Sequence, residues 1–292
     1  MTQIVESLSD IPIGYTVLYC DLWGCLHDGV RVFPEAVSAL QDFRSGDGFV
    51  VLLTNSPRPS GNVARQLETL GAPRDAYDLI VSSGDAAQEA LAAGYFGRRV
   101  HHIGPKRDLP FFSDAEGRPF EIERVSLNDA EGIVCTGLFD DRSETADDYR
   151  ATLLLARERG LKLLCANPDV AVDVGTMRIY CAGAIAQAYA EMGGQSHYFG
   201  KPHPPIYRLA RARLETALGH AVADDEILCL GDGISTDILG AAGEDLDSTF
   251  VTGGLAAGDT GTTRADGPDP EMLAAYLAAH RASPRYAMAY LR

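Results

Sequence analysis

The sequence predicts an α/β protein: a Rossmann-like parallel sheet with helices packed on it, and a second α/β domain inserted into it. Three observations lead there. Short, wholly apolar runs recur and stop abruptly at polar residues, as strands buried on both faces do. Segments with helical spacing of apolar residues separate them, and strand alternating with helix implies right-handed parallel crossovers. From Gly94 the texture changes, then returns to the same alternation.

The first strand lies in Tyr15 to Gly29, YTVLYCDLWGCLHDG. The β-formers Thr16-Val17-Leu18-Tyr19-Cys20 end at Asp21, and Gly24 and a turn-rich His27-Asp28-Gly29 follow. This pattern reads as a buried parallel strand with a carboxylate at its carboxyl end, where open α/β sheets bind ligands. On this stretch alone, a capping or turn aspartate is an equal alternative.

Pro34 opens a helix to about Phe43, with proline at the first helical position, and Gly46 and Gly48 end it. Phe49 to Leu53 is a second apolar strand, stopping at Thr54-Asn55-Ser56. Ser60 caps a helix with Val63, Leu67 and Leu70 on one face, closed by Gly71. Leu79-Ile80-Val81 is a third strand, with a helix after it to about Ala93. Short β-like pieces and charged turns fill 95–132, and Ile133-Val134-Cys135 is again a strand. A helix runs from about Ala146 to Arg159, a strand from Leu161 to Ala166 ending at Asn167-Pro168-Asp169, and an alanine-rich helix from Ala182 to Met192. His197-Tyr198-Phe199 leads into Gly200-Lys201-Pro202 and a helix from Pro205 to Leu218. Ile227-Leu228-Cys229-Leu230 is a buried strand ending at Gly231-Asp232-Gly233, and Ser248 to Thr252 is one more. A helix over about 270–280 closes the core. The expected division is a discontinuous core of 1–85 and 196–292 with 86–195 inserted.

Apolar residues make up 46% of the 292, enough for a sizeable core. The net charge of −16 argues against a nucleic-acid backbone or an anionic membrane as partner, and an anionic substrate would need a local cation. The six cysteines form no CxxC pair and lie mostly in apolar runs, so they read as small buried hydrophobes of a reducing compartment. The N-terminal residues have no basic start or long apolar stretch, which leads to the expectation of a soluble, cytoplasmic protein.

Four strand-like runs end in Asp21, in Thr54-Asn55, in Lys201 on a strand-to-helix loop, and in Asp232 with Asp237. Parallel strands bring such ends to one rim. Clustered carboxylates cannot all stay ionised without a cation, and Mg2+, a hard ion with oxygen ligands, suits them. A carboxylate nucleophile, a divalent ion, a lysine and a donor pair fit phosphoryl transfer.

Asp21-Leu22-Trp23-Gly24-Cys25-Leu26, Leu53-Thr54-Asn55, Gly200-Lys201-Pro202 and Gly231-Asp232-Gly233-Ile234-Ser235-Thr236-Asp237 resemble the four motifs of the haloacid dehalogenase (HAD) superfamily. Order and spacing are similar to the branch of NagD-like and pyridoxal-phosphatase-like enzymes, which carry a large α/β cap between the second and third motifs. Asn167-Pro168-Asp169 and Cys181-Ala182-Gly183-Ala184 also resemble that branch. The resemblance implies the HAD fold and a Mg2+-dependent phosphatase of a small phosphorylated metabolite, a sugar phosphate or similar. Asp21 would be the nucleophile that becomes an aspartyl-phosphate, and also a Mg2+ ligand. The backbone carbonyl of Trp23 would be a second ligand, Asp232 a third, and Asp237 would hold the ion directly or through a water. Thr54 and Asn55, with Ser56 beside them, would hold the phosphoryl oxygens. Lys201 would pair with phosphate and with Asp21. Arg58 is a candidate substrate contact, as are Asn167 and Asp169, which a turn would explain equally. Caps of this branch often mediate homodimers.

The departure from the family lies at Trp23, where the resembling motif has a second aspartate that protonates the leaving group. An indole N–H cannot serve as acid or base near neutral pH. Three readings follow: a leaving group that needs little protonation, a substitute such as His27 or Asp28, or a protein that binds phosphometabolites with slow or no turnover. The superfamily's dehalogenases also carry an aromatic residue there and work on carbon without Mg2+. Asp232 and Asp237 stand against that, since a second acid beside the nucleophile needs a cation. His101 and His102 are adjacent in an extended piece and face opposite ways, so they read as structural. His203 in a proline-rich loop either lines the site or stiffens the loop. Trp23 itself is also a packing residue that excludes water.

Overall fold

The computed structural model describes residues 2–12, 14–114, 116–174 and 177–292, without the side chains of 173 and 174. In chain order the strands are β1 (Gln3–Ile4), β2 (Val17–Cys20), β3 (Phe49–Thr54), β4 (Leu79–Ser82), β5 (Arg99–Ile103), β6 (Glu123–Arg124), β7 (Gly132–Cys135), β8 (Lys162–Cys165), β9 (Ala171–Val174), β10 (Met177–Tyr180), β11 (Gln195–Tyr198), β12 (Ile227–Gly231), β13 (Asp247–Val251) and β14 (Tyr286–Met288). The helices are α1 (Pro34–Ser45), α2 (Ser60–Leu70), α3 (Ser83–Ala92), α4 (Arg150–Glu158), α5 (Ala182–Glu191), α6 (Pro204–Leu218), α7 (Leu239–Gly243) and α8 (Pro270–Ala279). Among the described residues no helix is long and apolar enough to cross a membrane.

These elements form two compact units. The first comprises Met1–Thr54, Arg65–Val81 and Tyr207–Arg292, the second Asn55–Ala64 and Ser82–Ile206. The chain passes between them at Thr54 and Asn55, within α2 and within α6.

The first unit holds a seven-stranded sheet in the order β1-β14-β13-β12-β2-β3-β4. The pairings from β1 across to β3 are all parallel. β2 is buried along its whole length, with Val17, Leu18 and Cys20 fully out of water. That is why its sequence shows no alternation of apolar and polar residues. α1 starts at Pro34, whose missing N–H would have no helical partner at that position anyway. The short strands β1 and β14 escape a sequence reading because two or three residues carry no periodicity. They are held by pairing across almost the whole chain, with Gln3 donating to the Arg285 carbonyl at 3.0 Å and Val5 to that of Ala287 at 2.9 Å.

The second unit holds a five-stranded parallel sheet in the order β11-β8-β7-β5-β6 and a separate β9–β10 hairpin. Its core is built from Ile133, Leu153, Leu163, Ile185 and Tyr189, all fully buried. The Tyr189 hydroxyl donates to the Leu161 carbonyl at 2.6 Å, so this aromatic is satisfied at both ends. The helix expected over 146–159 opens with a 3-10 turn, Ala146–Tyr149, before α4 begins. β11 pairs with β8, so residues 196–198 belong to this sheet and not to the first, where the sequence reading placed them.

The adjacent histidines of β5 point to opposite sides, as an extended strand requires. His101 Nδ1 lies 3.2 Å from the Val125 carbonyl, while His102 Nε2 lies 3.0 Å from Thr136 Oγ1 and packs edge-on against Phe112. Burial, with help from Arg124 and His101, lowers the His102 pKa from 6.5 to about 4. The unfolded chain therefore takes up a proton as pH falls through 6.5, and the folded one does not until about 4. The stabilisation is complete above 6.5 and is lost as pH falls towards 4. In urea unfolding series, His102→Gln is expected to flatten the loss of stability between pH 7 and pH 4 by up to about 3 kcal/mol.

Candidate active site

Register in the first sheet brings two carboxylates together. β12 pairs with β2 so that Leu230, one residue before the end of β12, faces Cys20, the last residue of β2. The next residue of β2, Asp21, donates its N–H to the Leu230 carbonyl at 2.8 Å, and Asp232 follows β12 directly. Both side chains are buried, and their oxygens lie with Cys25 Sγ in a group whose members are all within 4.8 Å of one another. Asp232 Oδ2 accepts the Leu255 N–H at 3.1 Å. Two backbone segments close on this carboxylate: a Cβ at Gly24 or at Gly254 would come within 2.0 or 1.9 Å of Oδ2. Gly24 also has φ +74°, so both its conformation and its position demand glycine. Asp237 lies one turn further on, in the π-helical turn Ile234–Ile238, and accepts from the Gly233 N–H at 3.1 Å and the Thr236 hydroxyl at 3.4 Å. Thr54 is the last, fully buried residue of β3.

The loop after Asp21 is tight. Leu26 and His27 both donate to the Leu22 carbonyl, and Gly24 donates to that of His27. The Trp23 indole lies over Gly29, where a Cβ would be 2.3 Å from the ring, and meets the His27 ring edge-on at 5.1 Å. His27 and Asp28, the two groups considered as substitutes for an acid at Trp23, both make bonds within this loop. His27 is buried, its pKa is lowered to about 4 by that burial, and its Nδ1 accepts the Gly29 N–H at 3.0 Å. Asp28 accepts from the Val30 and Arg31 N–H groups and pairs with the Arg31 side chain, which holds its carboxyl below the usual range. Both residues build the turn.

The second unit gathers Asn55, Lys201, Asn167 and Asp169. Asn55 Nδ2 donates to Asp169 Oδ1 at 2.8 Å and to the Lys201 carbonyl at 3.0 Å, and its Oδ1 accepts the Lys201 N–H at 2.7 Å. An amide NH2 has two hydrogens, and both are committed. The Asn55 side chain thus anchors the Lys201 backbone. Asn167 forms the turn, its Oδ1 accepting the Asp169 N–H at 3.0 Å, while Asp169 orients Asn55. For Asn167 this is the turn reading weighed for the pair. Ser56 Oγ accepts the Arg58 N–H at 3.3 Å, and the Arg58 side chain reaches the buried Asp108 at 3.7 Å. Burial raises the Asp108 pKa and Arg58 opposes that rise. His203 stacks on Tyr198 at 4.7 Å, which favours its loop-stiffening reading.

From the sequence Cys25 reads only as a buried hydrophobe. Its position four residues after Asp21 carries no signal of its own, and only the loop's turn brings the thiol back to the two acids. Replacing Asn55 by Asp would set an oxygen against Asp169 Oδ1 and the Lys201 carbonyl. Asn55→Asp is expected to lower stability by about 1–3 kcal/mol, and adding Asp169→Asn should restore part of it by reversing donor and acceptor, measured by thermal unfolding.

Residues 18–116 match the profile of the haloacid dehalogenase-like hydrolases, and residues 198–280 match a second, HAD-hydrolase-like profile. The crystal structure of a haloacid dehalogenase-like hydrolase from Brucella suis 1330 superposes with a TM-score of 0.86 at 38% identity, covering 99% of this chain and 100% of that one. The ribonucleotide monophosphatase NagD of Escherichia coli K12 is 26% identical over 82% of this chain and 88% of its own length. The 5'-nucleotidase YutF of Bacillus subtilis 168 is 24% identical over 83% and 88%. An open parallel sheet with acids at the ends of its paired central strands, an α/β insert and a full-length likeness at this identity lead to one conclusion: the chain belongs to the haloacid dehalogenase-like hydrolases, in their NagD-like branch.

Proposed function

We propose that this hydrolase is a Mg2+-dependent phosphatase of small phosphate monoesters that works through an aspartyl-phosphate on Asp21. The observation that carries the reading is the pair of buried carboxylates, Asp21 and Asp232, in one cluster within 4.8 Å. Two like charges buried so close call for a cation, and their oxygen donors fit a hard divalent ion. Asp21, Asp232, Asp237 and the Trp23 carbonyl would hold Mg2+. The ion would supply positive charge that lets an anionic carboxylate approach an anionic phosphate.

In this reading an Asp21 oxygen attacks phosphorus, the bond to the leaving oxygen breaks, and water then cleaves the acyl phosphate. Thr54 would hold phosphoryl oxygens, and pairing with phosphate is the role that the family resemblance implies for Lys201. Asn55 and Asp169 act as positioning residues for the Lys201 loop. The names of the relatives support a phosphate monoester as substrate, and their nucleotide substrates make a phosphorylated sugar moiety a reasonable common denominator. A carboxylate beside the nucleophile speaks against dehalogenation without metal.

The commitment of His27 and Asp28 to the turn favours substrates whose leaving oxygen departs without a proton. It equally favours a second reading, a phosphometabolite-binding protein with little turnover. Phosphate release with Mg2+ from a panel of alkyl, aryl and acyl phosphates separates them. The wild type is expected to favour acyl and aryl phosphates, and Asp21→Asn to fall to background. Trp23→Asp should raise release from alkyl phosphates by on the order of 10²-fold or more. Ligand binding without release from any ester, with turnover only in Trp23→Asp, would establish the second reading instead.

A further inference from the structure

Cys25 differs from the other buried thiols. Cys20, Cys135, Cys165 and Cys181 each donate to a backbone carbonyl, those of Asp21, Gly137, Asn167 and Ile179. Cys25 is 1% exposed, yet among the described residues its thiol makes no hydrogen bond. Its sulfur instead points into the acid pair, in the group with Asp21 and Asp232 whose ligand atoms all lie within 4.8 Å. The Leu22–His27 turn, closed on the Leu22 carbonyl, fixes this orientation.

We propose that Cys25 makes the Asp21–Asp232 site a mixed oxygen–sulfur site, which takes a soft divalent ion such as Zn2+ or Cd2+ through its sulfur in competition with Mg2+. The inference rests on the reading of Asp21 and Asp232 as the seat of a divalent ion. A hard ion bonds to oxygen and gains little from sulfur, whereas a thiolate adds a strong bond to a soft one. Tetrahedral Zn2+ with bonds of about 2.0–2.3 Å sets its ligand atoms roughly 3.5 Å apart, so closing the group around it takes side-chain shifts of about 1 Å. On binding, the S–H bond breaks, a metal–sulfur bond forms and the proton leaves to solvent; no electrons are exchanged. A soft ion seated there occupies the nucleophile Asp21 and shuts the site, which would make the enzyme sensitive to zinc.

Cd2+ added to the whole protein is the probe, read by the ultraviolet sulfur-to-cadmium charge-transfer band, with Mn2+ binding followed by electron paramagnetic resonance. The band is expected in the wild type and absent in both Cys25→Ser and Cys25→Ala. Cd2+ affinity should drop on the order of tenfold or more, while Mn2+ affinity changes by about twofold or less. A wild type that binds Mn2+ without a cadmium–sulfur band, or a band that survives in both variants, overturns the proposal. Failure of the wild type to bind Mn2+, or Mn2+ binding unaltered in Asp232→Asn, overturns the reading beneath it instead. Two substitutions of different polarity guard against a variant that merely misfolds.

Discussion

The parallel register of β2 against β12 is the constraint on which the rest depends. Once Leu230 faces Cys20, the residues that follow the two strands have to leave the sheet side by side, and both strands are followed by aspartate. Two ionised acids brought together and buried by backbone pairing repel each other. The fold thus creates a demand for positive charge at the carboxyl edge of its sheet. The glycines at 24 and 254 reinforce the demand, because they let backbone close over Asp232 where any side chain would collide with it.

The loop that carries Trp23 is packed around its indole. Where the resembling motif has an acid, an indole lies over Gly29 and against the His27 ring. His27 in turn is buried, neutral and hydrogen-bonded to the same turn, and Asp28 caps it. The loop is therefore a packed structural unit with an apolar face, and its titratable groups are spent on holding its shape. The same tight turn that makes room for the indole directs the Cys25 thiol towards the two carboxylates.

In the second unit the polar residues are linked in a chain of support. Asn167 makes a turn that presents Asp169, Asp169 orients the Asn55 amide, and that amide grips the Lys201 backbone on both its N–H and its carbonyl. Each link is a neutral or charge-assisted hydrogen bond worth about 1–3 kcal/mol when its partner would otherwise be left buried and unmet. A lysine on a loop is mobile by default; held by its own backbone, it is confined to a narrow set of positions.

Much of this was legible in the residues themselves. Apolar runs with no alternation mark β2, β3 and β12, and the polar residue at each strand end is local information, so Asp21, Thr54 and Asp232 could be singled out. Proline at the start of α1 and the periodicity of α2 set helix boundaries to within a residue or two. What the sequence could not express was partnership. β1 and β14 exist only because residues nearly the whole chain apart pair, and two or three residues cannot show a period. Asn55 reads as a polar strand end, and only the geometry gives the partners of its two amide hydrogens. Cys25 reads as filler because the direction of a side chain in an irregular turn depends on hydrogen bonds that close through space. Residue type and local period are properties of the chain, whereas the partner of a polar atom is decided by the tertiary fold, since that choice minimises the cost of burial across all the segments that meet there.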